Sequence, residues 1–208
     1  MNTNGHPNGS DASGTWDRMG IDPLTGLFNR TRLDSLEGAF SARSIPWSAI
    51  LVDVDHFKLI NDIYGHMEGD RVLRQTALTI QVNLKKTDIA VRFGGDEIVI
   101  VLPGTTGEGA LSLAERLMTE VGRCSYPSGV KVSLSMGISQ SRESDPSLAE
   151  LLSRADRALY RAKETGRGRF YFFTEEVAES DAIRRRSLAS ESMFLSRMVM
   201  ICPRLSGM

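Results

Sequence analysis

Three carboxylates in this chain stand where the backbone must change direction. Asp53 closes an apolar run, Ala49-Ile-Leu-Val-Asp53, and Asp96 and Glu97 directly follow Gly94-Gly95. Gly-Gly between two strand-like segments, Asp88–Phe93 and Glu97–Leu102, is a hairpin signal, because the tightest turn needs φ > 0 twice. Glycine there also lets a ligand approach the backbone. Carboxylates beside such a turn are costly if buried without partners. A solvated turn is the plain alternative, and the hairpin alone does not separate the two. Asp53 tips the balance, because two neighbouring strand ends would bring it beside Asp96 and Glu97. A carboxylate cluster without cysteine suits a hard cation, Mg²⁺ or Mn²⁺. Just beyond, near Phe57, the chain turns into a helix, whose N-terminus offers free N–H groups to a phosphate. Carboxylates, a divalent ion and a helix N-terminus together suggest phosphoryl or nucleotidyl transfer.

The elements that must position these residues follow from periodicity. The runs 49–53 and 97–102 are continuously apolar and predict strands covered on both faces. In 130–139, Val130, Val132, Leu134, Met136 and Ile138 alternate with small or polar residues, which predicts a strand with one buried face. With 88–93 and the aromatic 169–173 this makes five strands. Helical spacing appears in 67–84 (Leu73, Ala77, Ile80, Leu84), 107–121 (Leu113, Leu117, Val121) and 147–164, which ends at Gly166, a plausible C′ glycine. Strands interleaved with helices predict an α/β (α+β) sandwich on one main sheet.

Composition narrows the field. The 208 residues carry 25 basic and 26 acidic side chains, a net charge of −1, which argues against a nucleic-acid coat or a polybasic membrane anchor. Cys124 and Cys202 exclude a disulfide scaffold and read as reduced thiols of a cytoplasmic protein. No stretch is apolar enough for a membrane span, and Met1–Gly14 lacks the apolar core of a secretory signal. Residues 1–15 are Asn, Gly, Ser and Asp with almost nothing apolar, and read as a disordered lead-in.

Over Asp22 to Phe173 the sequence resembles the GGDEF-domain diguanylate cyclases. Five collinear blocks carry the resemblance: Asp22-Pro-Leu-Thr-Gly-Leu-Phe-Asn-Arg30; Asp53-Val-Asp-His-Phe-Lys-Leu-Ile-Asn-Asp62 with Gly65-His66 and Gly69-Asp70; Arg92-Phe-Gly-Gly-Asp-Glu97; Ser135-Met-Gly-Ile138; and Ala155 to Arg167, ending Ala162-Lys-Glu-Thr-Gly-Arg167. The resemblance implies a GGDEF domain over 16–174, with a five-stranded, mostly antiparallel central sheet flanked by helices, related to nucleotidyl cyclase and polymerase palm cores. It implies condensation of two GTP into cyclic di-GMP, a second messenger, with release of two pyrophosphates. Each subunit of a homodimer holds one GTP, with two Mg²⁺ (or Mn²⁺) per site. Asp53, the Val54 carbonyl, Asp96 and Glu97 become the metal ligands, and Asp96 and Glu97 the catalytic pair. Phe57 and Lys58 offer backbone N–H groups to the terminal phosphates. Asn61 and Asp70 read guanine. Gly94 and Gly95 admit the nucleotide, and Lys163 and Arg167 contact phosphate. That basic pair taken alone reads as a solvated helix end; at a spacing of four it can point one way. His66, Asp62 and Asp22–Arg30 are read as structural, and His56 as a surface residue.

Two departures qualify the match. Ile98 stands where the family usually has Phe, and this smaller residue beneath the turn lowers the expected rate rather than changing the reaction. The family's product-inhibition site, Arg-x-x-Asp, is Lys85 and Asp88 here. Lysine keeps the charge but loses the planar fork, so weak or absent product inhibition is expected. The segment 174–192 resembles the linker to a phosphodiesterase EAL domain, so the C-terminal tail 175–208 reads as a truncated linker to a missing EAL domain, and no input domain is expected before residue 16. The alternative to an active cyclase is a weak or inactive GGDEF module that binds GTP or cyclic di-GMP and regulates a protein partner.

Overall fold

A computed structural model describes residues 20–174. The lead-in 1–15 and the tail 175–208 lie outside the described residues. The elements run β1 (Phe28–Asn29), α1 (Thr31–Asp34), α2 (Glu37–Ser41), β2 (Trp47–Val54), α3 (Phe57–Tyr64), α4 (His66–Asn83), β3 (Ile89–Gly94), β4 (Glu97–Pro103), α5 (Gly107–Arg123), β5 (Leu134–Gln140), α6 (Leu148–Glu164) and β6 (Phe170–Phe172).

The strands form one sheet in the order β1-β3-β4-β2-β5-β6. The sheet has six strands where five are expected, because the two-residue β1 adds a parallel edge to β3. The three central pairings, β3–β4, β4–β2 and β2–β5, are antiparallel, and both edge pairings are parallel. β2 is the middle strand, and all eight of its residues are buried. Its side chains alternate between two cores. Ile50, Val52 and Val54 pack with Leu73, Ala77 and Ile80 of α4 and Leu113, Ala114 and Leu117 of α5. Ala49 and Leu51 pack on the other side with Phe40 of α2 and Leu151, Ala155 and Leu159 of α6. Helices on both faces explain the unbroken apolar runs of β2 and β4.

β5 departs from expectation in two ways. It starts at Leu134 rather than 130, because β2 ends at Val54, opposite Leu134; one last backbone bond, Asp55 N to the Ser133 carbonyl at 3.0 Å, follows before His56 turns the chain away. Its second face is buried as well. Ser135 and Ser139 are almost inaccessible, and the Ser139 hydroxyl donates to the Leu151 carbonyl at 2.7 Å. A Cβ at Gly137 would run into the Ala155 carbonyl and the Leu159 amide of α6. The small residues on this face are therefore the seat of a closely packed helix, not a solvated edge.

Local signals fix the helix ends. Thr106 and Ser147 cap α5 and α6, accepting from Gly109 N at 3.4 Å and Glu150 N at 3.3 Å. At the other end of α6, Gly166 N donates to the Lys163 carbonyl at 3.4 Å and Arg167 N to the Ala162 carbonyl at 3.0 Å, a Schellman motif with Gly166 at C′ as expected.

Candidate active site

The site gathers at the end of β2. Asp53 lies opposite Glu97 of β4 and opposite Ser135 of β5, and Val54 N donates to the Asp96 carbonyl at 3.4 Å. The expected neighbourhood of Asp53, Asp96 and Glu97 is thus present. The turn differs in detail. Gly94 belongs to β3 and pairs with Glu97, so Gly95 and Asp96 are the central residues, and only Gly95 has positive φ (30°). Ile98 follows at 1% exposure, deep in the core.

Asp53 accepts a hydrogen bond from Lys163 Nζ at 2.6 Å, joining β2 to the last turn of α6. Burial pushes the Asp53 carboxyl up to about 6; Lys163 pulls it down, and the charges of Asp96 and Glu97 push it further up. Among the described residues no three Asp, Glu, His or Cys side chains converge into a ready-made cation cage. The donor set nonetheless fits a hard divalent ion. It is all oxygen, and the buried Asp53 meets like charge that a cation would relieve.

Beyond β2, Asp55 turns inward and His56 takes a left-handed conformation (φ 56°), which swings the chain into α3 and leaves the imidazole exposed. The first bond into α3 runs from Ile60 N to the His56 carbonyl at 3.1 Å, so the N–H groups of Phe57, Lys58 and Leu59 precede the helix's own ladder. Asn61 rests on Gly69 of α4, where a Cβ would strike its carboxamide oxygen. Asp70, next along, keeps a partly exposed carboxylate, 3.7 Å from Arg74. Asn61 and Asp70 are thereby held one helix apart, at a contact only glycine permits.

The basic pair is arranged differently from its spacing. Lys163 ends on Asp53, while Arg167 lies past the end of α6 in a left-handed conformation (φ 60°). Helical i,i+4 geometry therefore does not apply to them. At the other end of the sheet, Lys85 and Asp88 close a turn in which Lys85 N donates to Asp88 Oδ2 at 2.9 Å.

Spacing did not reveal what holds the hairpin. Arg92 Nη1 bonds both oxygens of Asp22 at 3.1 Å, and its Nε and Nη2 bond the Gly95 carbonyl at 3.1 and 2.8 Å. An arginine in an otherwise apolar strand was the available signal; its partner, 70 residues away, was not legible. Burial disfavours charge on Asp22, but hydrogen bonds from Thr25 and then Arg92 outweigh it and hold the carboxyl below its ordinary 3.8. The bridge therefore stabilises the fold above that ordinary value and weakens as pH falls through the lower folded one. Arg92→Lys, which keeps the charge but loses the fork, is expected to cost about 1–2 kcal/mol at pH 7. The gap between the urea midpoints of the two proteins should narrow as pH falls through the lowered Asp22 value but not close, because the bonds from Arg92 to the Gly95 carbonyl do not titrate.

This architecture, with carboxylates at a β-hairpin beside the end of a central strand, is one that known proteins share. Residues 19–169 match the family model described as diguanylate cyclase, GGDEF domain. The response regulator PleD of Caulobacter vibrioides is 39% identical over 155 residues, covering 70% of this chain and 34% of PleD. Diguanylate cyclase DgcM of Escherichia coli K12 is 40% identical over 152 residues, covering 71% of this chain and 37% of DgcM. The chain thus spans little more than a third of these relatives. The active GGEEF domain of a diguanylate cyclase from Vibrio cholerae superposes with a TM-score of 0.67 at 34% identity, over 70% of this chain and 97% of that one. The chain belongs to the GGDEF-domain diguanylate cyclase family. No helix among the described residues is long and apolar enough to cross a membrane.

Proposed function

We propose that this chain is an active diguanylate cyclase, condensing two GTP into cyclic di-GMP and two pyrophosphates in a cytoplasmic homodimer. The observation that carries the reading is the meeting of Asp53 and Glu97 across adjacent strand ends, with Lys163 on Asp53 and the N-terminus of α3 immediately beyond. Each 3′-oxygen forms a bond to the α-phosphorus of the facing GTP, the bond from that phosphorus to pyrophosphate breaks, and a proton leaves each 3′-hydroxyl. Asp53, Asp96, Glu97 and the Val54 carbonyl would hold Mg²⁺ or Mn²⁺, two per site, which supply charge neutralisation at the α-phosphate. To Asp96, at the turn, we assign the most direct part in the chemistry, with Glu97 beside it.

The rest of the chain orients the nucleotide. Asp70 accepts from the guanine N1–H and N2–H₂ edge, and the Asn61 carboxamide can both accept and donate. Adenine lacks that pair of donors, so ATP is rejected. The N–H groups at Phe57 and Lys58 face the terminal phosphates, and Lys163 and Arg167 add cationic contacts. Gly94 and Gly95 let the turn approach the nucleotide. Lys85 lacks an arginine fork, so product inhibition is weak. A regulatory protein partner is a further part of the proposal; the related SiaD of Pseudomonas aeruginosa, 32% identical with a TM-score of 0.68 over 78% of this chain, has been seen in complex with its activator SiaC.

The test is chromatography of purified protein incubated with GTP and Mg²⁺. Cyclic di-GMP is expected from the wild type. Asp96→Ala should lower its formation by at least about a hundredfold, and Asn61→Ala should mainly raise KM for GTP. Intact GTP binding without product would instead establish the non-catalytic binding module.

A further inference from the structure

Asp55 has no part in the site as described, yet it is among the most heavily tied side chains in the molecule. It is 3% exposed. Its Oδ1 accepts from the Ser135 hydroxyl at 2.6 Å, and its Oδ2 accepts from the Ser133 hydroxyl at 2.6 Å and from Gly168 N at 2.9 Å. The serines belong to β5 and the residues just before it. Gly168 belongs to the turn that leaves α6, 113 residues further along the chain.

That turn is unusual. Gly166, Arg167 and Gly168 have φ of 115°, 60° and 57°, three left-handed residues in succession. Two are glycines, for which this is no strain. Arg167 has a Cβ, and its conformation persists only where the surroundings enforce it. Its own N–H is spent on closing α6 at the Ala162 carbonyl, and its carbonyl accepts from Arg169 Nε at 3.0 Å. The next peptide N–H, that of Gly168, is the one Asp55 captures. The end of β2 thus grips the end of α6 twice from side chains two residues apart: Asp53 on Lys163, Asp55 on Gly168.

We infer that Asp55 is a positioning residue: by holding Gly168 N it keeps Arg167 left-handed, so that the guanidinium is presented to the β- and γ-phosphates of the bound nucleoside triphosphate. The inference rests on the cyclase reading, which supplies the nucleotide. Its chemistry is specific. Only an acceptor at Oδ2 is required of Asp55, because a peptide N–H cannot accept, whereas the Ser135 hydroxyl can turn to accept from an amide. Asparagine should therefore substitute, and alanine should not.

The full chain is titrated in Mg²⁺ with the α,β-methylene analogue of GTP and with GMP. Asp55→Ala should weaken the triphosphate by about tenfold and leave GMP within about twofold of the wild type. Asp55→Asn should stay within about threefold for both. Asp55→Ala combined with Arg167→Ala should bind the triphosphate no more weakly than Arg167→Ala alone, since both act through one guanidinium. Should Asp55→Ala fail to fold, Asp55→Ser keeps a polar group for the two serines but falls short of Gly168. Equal losses for triphosphate and GMP, or additive losses in the double variant, would overturn the inference. Amide exchange of Gly168, read without nucleotide, separates it from the cyclase reading. A Gly168 amide as protected in Asp55→Ala as in the wild type sinks the positioning role, whereas a wild type that binds no GTP sinks the cyclase.

Discussion

Asp53→Asn is expected to make the cation-free protein more stable at pH 8 and to remove nearly all of the proposed cyclase activity. Burial pushes the Asp53 carboxyl from 3.8 up to about 6, and Asp96 and Glu97 add to the rise against the pull of Lys163. A raised carboxyl favours the fold while it holds its proton. That contribution is complete below the unfolded value and is lost as pH rises through about 6. At about 1.4 kcal/mol per unit the ceiling is about 3 kcal/mol, and water at the mouth of the site brings the expectation nearer 2. The amide carries no charge to desolvate, and its oxygen still accepts from Lys163. Thermal melts at pH 8 without divalent ions should therefore place the variant above the wild type, and the difference should vanish near pH 4. Millimolar Mg²⁺ should close the gap by raising only the wild type. Turnover should fall by at least about a hundredfold, because the amide cannot serve as an anionic ligand. A variant less stable than the wild type at pH 8 would mean that the Lys163 ion pair outweighs the burial.

The largest effect on folding is expected at Gly137. The clash met by a Cβ there is with backbone, the Ala155 carbonyl and the Leu159 amide, not with the tip of a side chain that can swing away. Relief requires α6 to lift off the sheet, and α6 contributes Leu151, Ala155 and Leu159 to the second core. Gly137→Ala should cost about 3 kcal/mol or more, which for a domain of this size lowers the melting temperature by about 10 °C. The same displacement carries Lys163 away from Asp53, so activity should fall with stability. Ser139→Ala, two residues along the same face, removes only the hydrogen bond to the Leu151 carbonyl and should cost about 1 kcal/mol. Urea titration of the pair separates close backbone approach from ordinary polar loss. Similar midpoints would mean that α6 yields easily.

What the sequence made legible follows the reach of each signal. β2 and β4 are long apolar runs, and their boundaries fall within a few residues of expectation. The neighbourhood of Asp53, Asp96 and Glu97 follows from strand ends and a short hairpin, both local. β1 is two residues long and exists only because β3 lies beside it. Val130 and Val132 keep a strand's alternation, yet β2 has already left the sheet where they would pair. On the second face of β5, serine and glycine look like a solvated surface when they are the surface a helix needs. Asp55 with Gly168, and Arg92 with Asp22, join residues 113 and 70 positions apart. No spacing rule reaches that far, and both pairs serve to hold the site rather than to form it.

The place of β2 in the sheet has a consequence for how the molecule opens. β2 is bonded on both sides, to β4 and β5, and covered by helices on both faces. Its amides can exchange with solvent only through opening of the whole domain, whereas β1 and β6, at the edges, can fray alone. The backbone beneath Asp53 therefore belongs to the last unit to unfold, and the turn beneath Arg167 adjoins the first. Partial denaturation should release the proposed phosphate contact of Arg167 while the carboxylate end of the site still stands.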